Sequence, residues 1–233
     1  MKKHYFSRTD LTLWSVSVAA ILVSFALFDR ESYLTLAASL IGVTSLIYNA
    51  KGNPFGQLLM VVFSLLYGVI SYTFRYFGEM ITYLGMTMPM ATFALGSWLK
   101  NPYNGNKAEV AVNHLSRREW LFACVLTLGV TVLFYFILAA FDTANLLPST
   151  LSVTTSFLAV YLTFRRSAAF AVAYAANDII LIILWLMASR TDFSYLSVAV
   201  CFIAFLANDL YGFISWRRMA RRQAVQTKAS PAV

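Results

Sequence analysis

Charge is what this sequence has least of. Only 12% of its 233 residues are charged, about half the share that a soluble domain needs to keep its surface wet. Most of the surface therefore faces lipid rather than water. Histidine is nearly missing: His4 and His114 are the only two, and both lie outside the apolar stretches. Cys124 and Cys201 sit inside apolar stretches without metal-ligand spacing, so they read as core filler and say little about redox compartment. No Gly-x-Ser-x-Gly nucleophile and no His-rich metal site occurs, and the absence of a Gly-x-x-x-x-Gly-Lys phosphate loop argues against a self-contained ATP-driven pump. No cofactor is indicated.

Apolar runs fill the space that these absences leave. They fall at about 11–28, 33–49, 54–73, 77–98, 120–141, 147–164, 168–188 and 194–216. Each is close to the ~20 residues that a helix needs to cross a ~30 Å hydrocarbon core. The reading is an all-α integral membrane protein with eight transmembrane helices. The first run follows Lys2, Lys3 and Arg8 like a signal peptide. It lacks a small-residue cleavage site and is followed by Asp29-Arg30-Glu31, so it is kept as an uncleaved helix.

The net charge of +8 could suggest a nucleic acid partner. Its location argues for membrane orientation instead. With eight spans, Arg30, Arg75 and Arg190 fall on one side and the other 15 of the 18 Lys and Arg on the other. The positive-inside rule then places both termini in the cytoplasm. Trp98, Trp120 and Trp216 mark the cytoplasmic ends of the fourth, fifth and eighth spans, where interfacial anchoring is the plain expectation.

The chain also repeats itself. Phe55 heads the third span as Phe170 heads the seventh, and Ser97-Trp98-Leu99-Lys100 closes the fourth as Ser215-Trp216-Arg217-Arg218 closes the eighth. Spans 2–4 read as a copy of spans 6–8, with the fifth as connector and the first as an addition. A shift of four crossings preserves orientation, so the repeats would be parallel. The expected division is 1–32 for the N-terminal segment with the extra helix, 33–100 for the first repeat, 101–146 for a cytoplasmic loop and connector helix, 147–216 for the second repeat and 217–233 for a basic tail.

Charges and amides within the hydrocarbon carry the chemistry, because each charge costs at least ~2.5–3.5 kcal/mol at the centre of a span. Asn177-Asp178 lies near the middle of the seventh span, Asn208-Asp209 in the cytoplasmic third of the eighth, Glu79 at the outer end of the fourth and Gln57 a turn into the third. No Lys or Arg shares the midplane. Such a set suits a ligand with hydroxyls, an amide or a positive charge, or else it bridges neighbouring helices by hydrogen bonds. Glu79 is read equally as wetted by the outer headgroups. Met80, Met86, Met88 and Met90 offer flexible packing or ligand contact, Pro89 a hinge or a static bend, and Trp185 a belt anchor or a stacking ring.

The run Lys51-Gly52-Asn53-Pro54-Phe55-Gly56-Gln57, then Tyr67-Gly68, then Gly78-Glu79-Met80-Ile81-Thr82-Tyr83-Leu84-Gly85-Met86 through Pro89-Met90, resembles the PnuC nicotinamide riboside transporters of the Gram-positive branch. So do Asn177-Asp178 and Asn208-Asp209-Leu210-Tyr211-Gly212 with Trp216, and the likeness covers roughly 33–219. The resemblance implies a three-plus-one-plus-three helix core like that of the sugar-transporting SWEET proteins. It also implies a homotrimer in a bacterial cytoplasmic membrane, and facilitated uptake of the vitamin, trapped by a cytoplasmic kinase. On it, Asn177 and Asn208 match amide positions for the carboxamide and ribose, Tyr211 and Trp185 are aromatic neighbours of the pyridinium, and Asp178 balances its charge. Where many relatives carry an Asn in the first repeat, this chain has Met90-Ala91-Thr92-Phe93, so that contribution shifts to Gln57, Tyr67 or Thr92. Rival readings are a thiamine carrier, a membrane enzyme with Asp178 and Asp209 as acid and base, and a non-transporting assembly subunit.

Overall fold

Two of the helices start at a serine whose side chain and third following residue cap one another. The computed structural model describes residues 5–73, 77–143 and 145–229; Lys2, Lys3, His4 and Arg75 lie outside them. In α1 (Arg8–Phe28), the Ser7 hydroxyl accepts from Asp10 N at 3.2 Å and the Asp10 carboxylate accepts from Ser7 N at 2.6 Å. Ser116 and Glu119 repeat the arrangement at the head of α6 (Arg117–Ala140). Each box satisfies backbone N–H groups that the first helical turn leaves without partners.

The remaining elements are α2 (Tyr33–Ala50), α3 (Pro54–Thr73), α4 (Phe77–Ile81), a π-helical segment (Thr82–Thr87), α5 (Met88–Lys100), β1 (Pro102–Tyr103), β2 (Asn106–Val110), α7 (Leu146–Phe164), α8 (Phe170–Ala188), a short 3-10 turn (Phe193–Tyr195) and α9 (Leu196–Ala229). Among the described residues, seven helices are long and apolar enough to cross a membrane. The other expected span, 77–98, is divided among α4, the π segment and α5, which follow one another without a break. The last expected span, 194–216, runs on as helix through the basic stretch to Ala229.

Residues 101–110, expected as loop, hold a small antiparallel hairpin. Asn104 and Gly105 at its tip have φ of 47° and 76°, the pair of left-handed residues that a tight hairpin turn requires and that Asn-Gly adopts readily. Gln223, on the extension of α9, seats the hairpin. Its Nε2 donates to Glu109 Oε1 at 2.8 Å and to Val110 O at 3.0 Å, and its Oε1 accepts from Val112 N at 2.8 Å.

Helices α2, α3 and the α4–π–α5 stretch form one packed group, and α7, α8 and α9 form another; across them α2 packs on α9 and α5 on α7. The two crossings are joined by the same hydrogen bonds. Trp216 Nε1 donates to Asn49 O at 2.7 Å and Ser215 Oγ to Ala50 O at 2.6 Å. In return, Trp98 Nε1 donates to Thr163 O and Ser97 Oγ to Phe164 O, both at 2.9 Å. Each Ser-Trp pair thus caps the carbonyl end of the first helix of the other group. The indoles meet at 5.3 Å between ring centroids. Both are fully buried at 0% exposure, which corrects the expectation that Trp98 and Trp216 are interfacial anchors. They are shielded because the carbonyls they bond lie inside the protein. Trp120, on α6, keeps an exposed ring.

The capped helices also end alike. Gly52 N and Asn53 N close on Asn49 O and Tyr48 O; Arg166 N and Ser167 N close on Thr163 O and Leu162 O. These are Schellman closures, with Gly52 (φ 67°) and Arg166 (φ 56°) at the left-handed position.

α1 stands outside both groups and packs on α2 and α9. Its Asp10 is fully buried, bonded by Lys51 Nζ at 2.6 Å and by the Tyr211 hydroxyl. Ser17 Oγ accepts from Asn208 Nδ2 at 2.9 Å and Trp14 Nε1 donates to Thr44 Oγ1 at 3.1 Å. Removing one partner of a buried ion pair leaves the other charge uncompensated, so this latch holds α1 firmly in place.

Candidate functional site

At the end of the bundle away from the basic clusters, the helices splay around three adjoining cavities of about 440, 310 and 50 Å³. The largest opens between the α1–α2 turn, α3 and α8, with Tyr67, Ser71 and Tyr195 in its wall. The smallest lies deeper, beside Tyr83, Ser152 and Asn177. Glu79 and Trp185 are common to the walls of all three. Glu79 stands on α4, one turn before the π segment, with Ser71 of α3 within hydrogen-bond reach.

The π segment shapes this region. Met88 N reaches back five residues to Tyr83 O, and Thr87 Oγ1 donates to Thr82 O at 3.2 Å. The wider turn precedes Pro89, which has no N–H to continue the backbone ladder of the helix. Of the two readings of Pro89, the structure supplies a local widening of the helix just before it. Such single-turn π bulges recur at functional sites because they re-aim side chains without ending a helix. Tyr83 is turned against Tyr67 at 4.8 Å and Phe63 at 6.1 Å, with Phe63 and Tyr67 at 5.1 Å. The three rings form an aromatic floor beside the vestibule. On the opposite wall, Trp185 packs against Tyr195 at 5.3 Å with planes tilted by 44°.

Asn177 enters the deep pocket from α8. Its Oδ1 accepts from Ser152 Oγ and Thr155 Oγ1 of α7, each at 3.0 Å. Two hydroxyls thereby fix the amide orientation and leave the N–H₂ group to face an acceptor.

Of the residues singled out in the sequence, Glu79, Trp185, Tyr67 and Asn177 converge on these cavities. Gln57 is buried near the other end, where its Nε2 donates to Asn49 Oδ1 at 2.8 Å. Asn208 is turned toward α1, and Tyr211 toward Asp10. Asp178 and Asp209 are buried against one another between α8 and α9, and Asp178 Oδ2 has no partner among the described residues. Neither carboxyl lines any of the three cavities. Tyr83, Tyr195, Ser152 and Thr155 belong to the site without having been singled out. For the α7 hydroxyls a signal existed: Ser149, Ser152 and Ser156 recur at helical spacing on one face of an otherwise apolar span. Among the described residues no group of three or more His, Cys, Asp and Glu could hold a metal ion.

Comparison with known proteins agrees with this architecture. Residues 32–218 match the model of the nicotinamide mononucleotide transporter family. The chain is 24% identical over 218 residues to the nicotinamide riboside transporter PnuC of Neisseria mucosa, covering 92% of this chain and 83% of that one. It is likewise 24% identical over 193 residues to the PnuC of Haemophilus influenzae, covering 82% of each. Its fold superposes on the crystal structure of the vitamin B3 transporter PnuC with a TM-score of 0.81, at 23% identity and 94% coverage of both chains.

Proposed function

The chain belongs to the nicotinamide mononucleotide transporter family, and from that membership we propose that it carries nicotinamide riboside across the membrane. The observation that carries the choice of cargo is the shared wall of Glu79 and Trp185. Nicotinamide riboside is a flat cation bearing an amide and a sugar. A tryptophan face attracts a cationic ring and a carboxylate balances it. The Asn177 amide and the Ser152 hydroxyl suit the carboxamide and ribose.

Electrostatics also separates the riboside from its phosphate. Among the described residues, Asp29, Glu31, Asp192 and Glu79 line the vestibule with one cation, Arg30, whose Nε donates to Ala26 O. That excess of negative charge draws a cation inward and repels a phosphomonoester. The name of the family favours the nucleotide and the names of the relatives the riboside; the charge of this vestibule favours the riboside.

The protein is a multi-pass membrane protein. In the proposed arrangement it has eight crossings, with one N-terminal helix added to two parallel three-helix repeats as in SWEET proteins. Residues 33–100 and 147–216 form the repeats and 101–146 links them. The reciprocal Ser-Trp caps support that reading, since each group offers the same pair of donors to the same place on the other, as two repeats related by a two-fold axis would. The cavities open away from the basic residues, so the positive-inside rule makes this an outward-open state of a bacterial cytoplasmic membrane protein with both termini inside. Alternating access would then close the vestibule and open the basic end. Facilitated diffusion, a homotrimeric assembly and trapping of the cargo by a cytoplasmic kinase complete the proposal.

Uptake of labelled nicotinamide riboside into liposomes containing only this protein tests it. Saturable entry to equal concentration, blocked by unlabelled riboside but not by thiamine, is expected. Block by thiamine would reassign the cargo, and no entry by folded protein would defeat the proposal.

A further inference from the structure

A fourth cavity, of about 380 Å³, lies at the basic end of the molecule, on the far side of the bundle from the vestibule. Three parts of the chain build it: the end of α2 with Lys51, the extension of α9 with Arg218 and Arg222, and the hairpin with Asn106 and Glu109. The positive-inside rule accounts for cations at this end. It does not account for their facing one concave space.

The charges in the wall do not cancel. Lys51 is matched by Asp10 at 2.6 Å, just behind it. Arg222 is matched by Glu109 at 2.5 Å, and that carboxylate is held further by Gln223 Nε2 at 2.8 Å. Glu109 is therefore already engaged. Arg218 is exposed on α9, and its guanidinium makes no hydrogen bond or ion pair with another described residue. A guanidinium offers a planar fork of donors that matches phosphate oxygens two at a time, and nearby Lys and Arg add to its field.

We propose that this cavity is a binding site for a phosphate-bearing anion, with Arg218 as its principal ligand. The phosphate can come from a soluble cytoplasmic phosphate ester or from the headgroup of an anionic lipid. Occupancy from either source would tie the α2 end to α9 through the anion.

The test uses the full-length protein in nanodiscs of zwitterionic phosphatidylcholine, compared with its R218Q variant. Arg218 is exposed, donates to neither of the carbonyls that the Ser-Trp caps bond, and lines none of the three vestibule cavities, so R218Q is expected to fold and to keep riboside uptake. Calorimetric titration with inorganic pyrophosphate reads the soluble source. Native mass spectrometry after doping the discs with phosphatidylglycerol reads the lipid source. The expected result is binding in at least one arm that weakens tenfold or more in R218Q; the arm that responds identifies the source. Binding in neither arm, or equal binding by both proteins, overturns the proposal.

Discussion

Glu79 and Asp178 are both acids within spans, yet their surroundings assign them different work. Glu79 reaches three cavities, whereas Asp178 is closed off against Asp209. A unit charge about 4 Å from a cationic ring contributes up to ~4 kcal/mol near a protein surface. Glu79→Gln is therefore expected to weaken binding of nicotinamide riboside by more than tenfold, while a neutral analogue of the same shape loses little. Asp178→Asn, in folded protein, is expected to leave riboside binding within about threefold, since a shift of that size is below ~1 kcal/mol. Calorimetry on both variants checks this. A larger loss in Asp178→Asn than in Glu79→Gln would move the counter-ion to the buried acid pair. Depth in a span was legible from the sequence; which carboxyl meets a cavity was not. A helix of this kind is apolar on every side, so the pattern carries little information about which face is inward.

At the scale of elements, the π segment and the paired caps matter most. A π bulge holds one more residue than the α-turn it interrupts. Deleting one residue within Thr82–Thr87 is expected to restore plain α-helix, keep α4 and α5 in register and turn Tyr83 away from its present neighbours. Riboside uptake should fall below a tenth of normal while the thermal unfolding of the detergent-solubilised protein changes little. The caps predict the reverse pattern. Trp216→Phe removes the hydrogen bond to Asn49 O at a cost of about 1 kcal/mol, and Trp216→Ala adds a cavity, for a total of about 3–5 kcal/mol. Denaturation midpoints should follow that order. The Ser-Trp repetition was visible in the sequence, but its meaning was not. An indole beside basic residues at a span end looks like an anchor until the carbonyl it bonds is known. The Asn104-Gly105 pair carries a turn signal in the sequence, but the strands beside it, Pro102–Tyr103 and Asn106–Val110, are too short and too polar to mark a hairpin by alternation.

For the molecule as a whole, span positions and the distribution of charge followed from composition, because hydrocarbon allows few ways of satisfying a backbone. The site resisted for a related reason. It is assembled from α3, α4, α7, α8 and the turn after α1, and no spacing within one segment announces such a convergence. Gln57, Asn208 and Tyr211 resemble ligands by type and depth, but the packing of α1 and α2 engages them.

The reciprocal Ser-Trp caps have a consequence for how the polypeptide could be divided. Each half completes the other by noncovalent bonds that do not require a covalent link between them. Two separate polypeptides, cut at the Asn104-Gly105 tip, carry all the groups needed to find each other. Their co-expression is expected to give a complex that survives purification and takes up the vitamin. The same experiment with Trp98→Ala and Trp216→Ala together should yield unassociated fragments. In that sense the molecule is two partners that happen to share a chain.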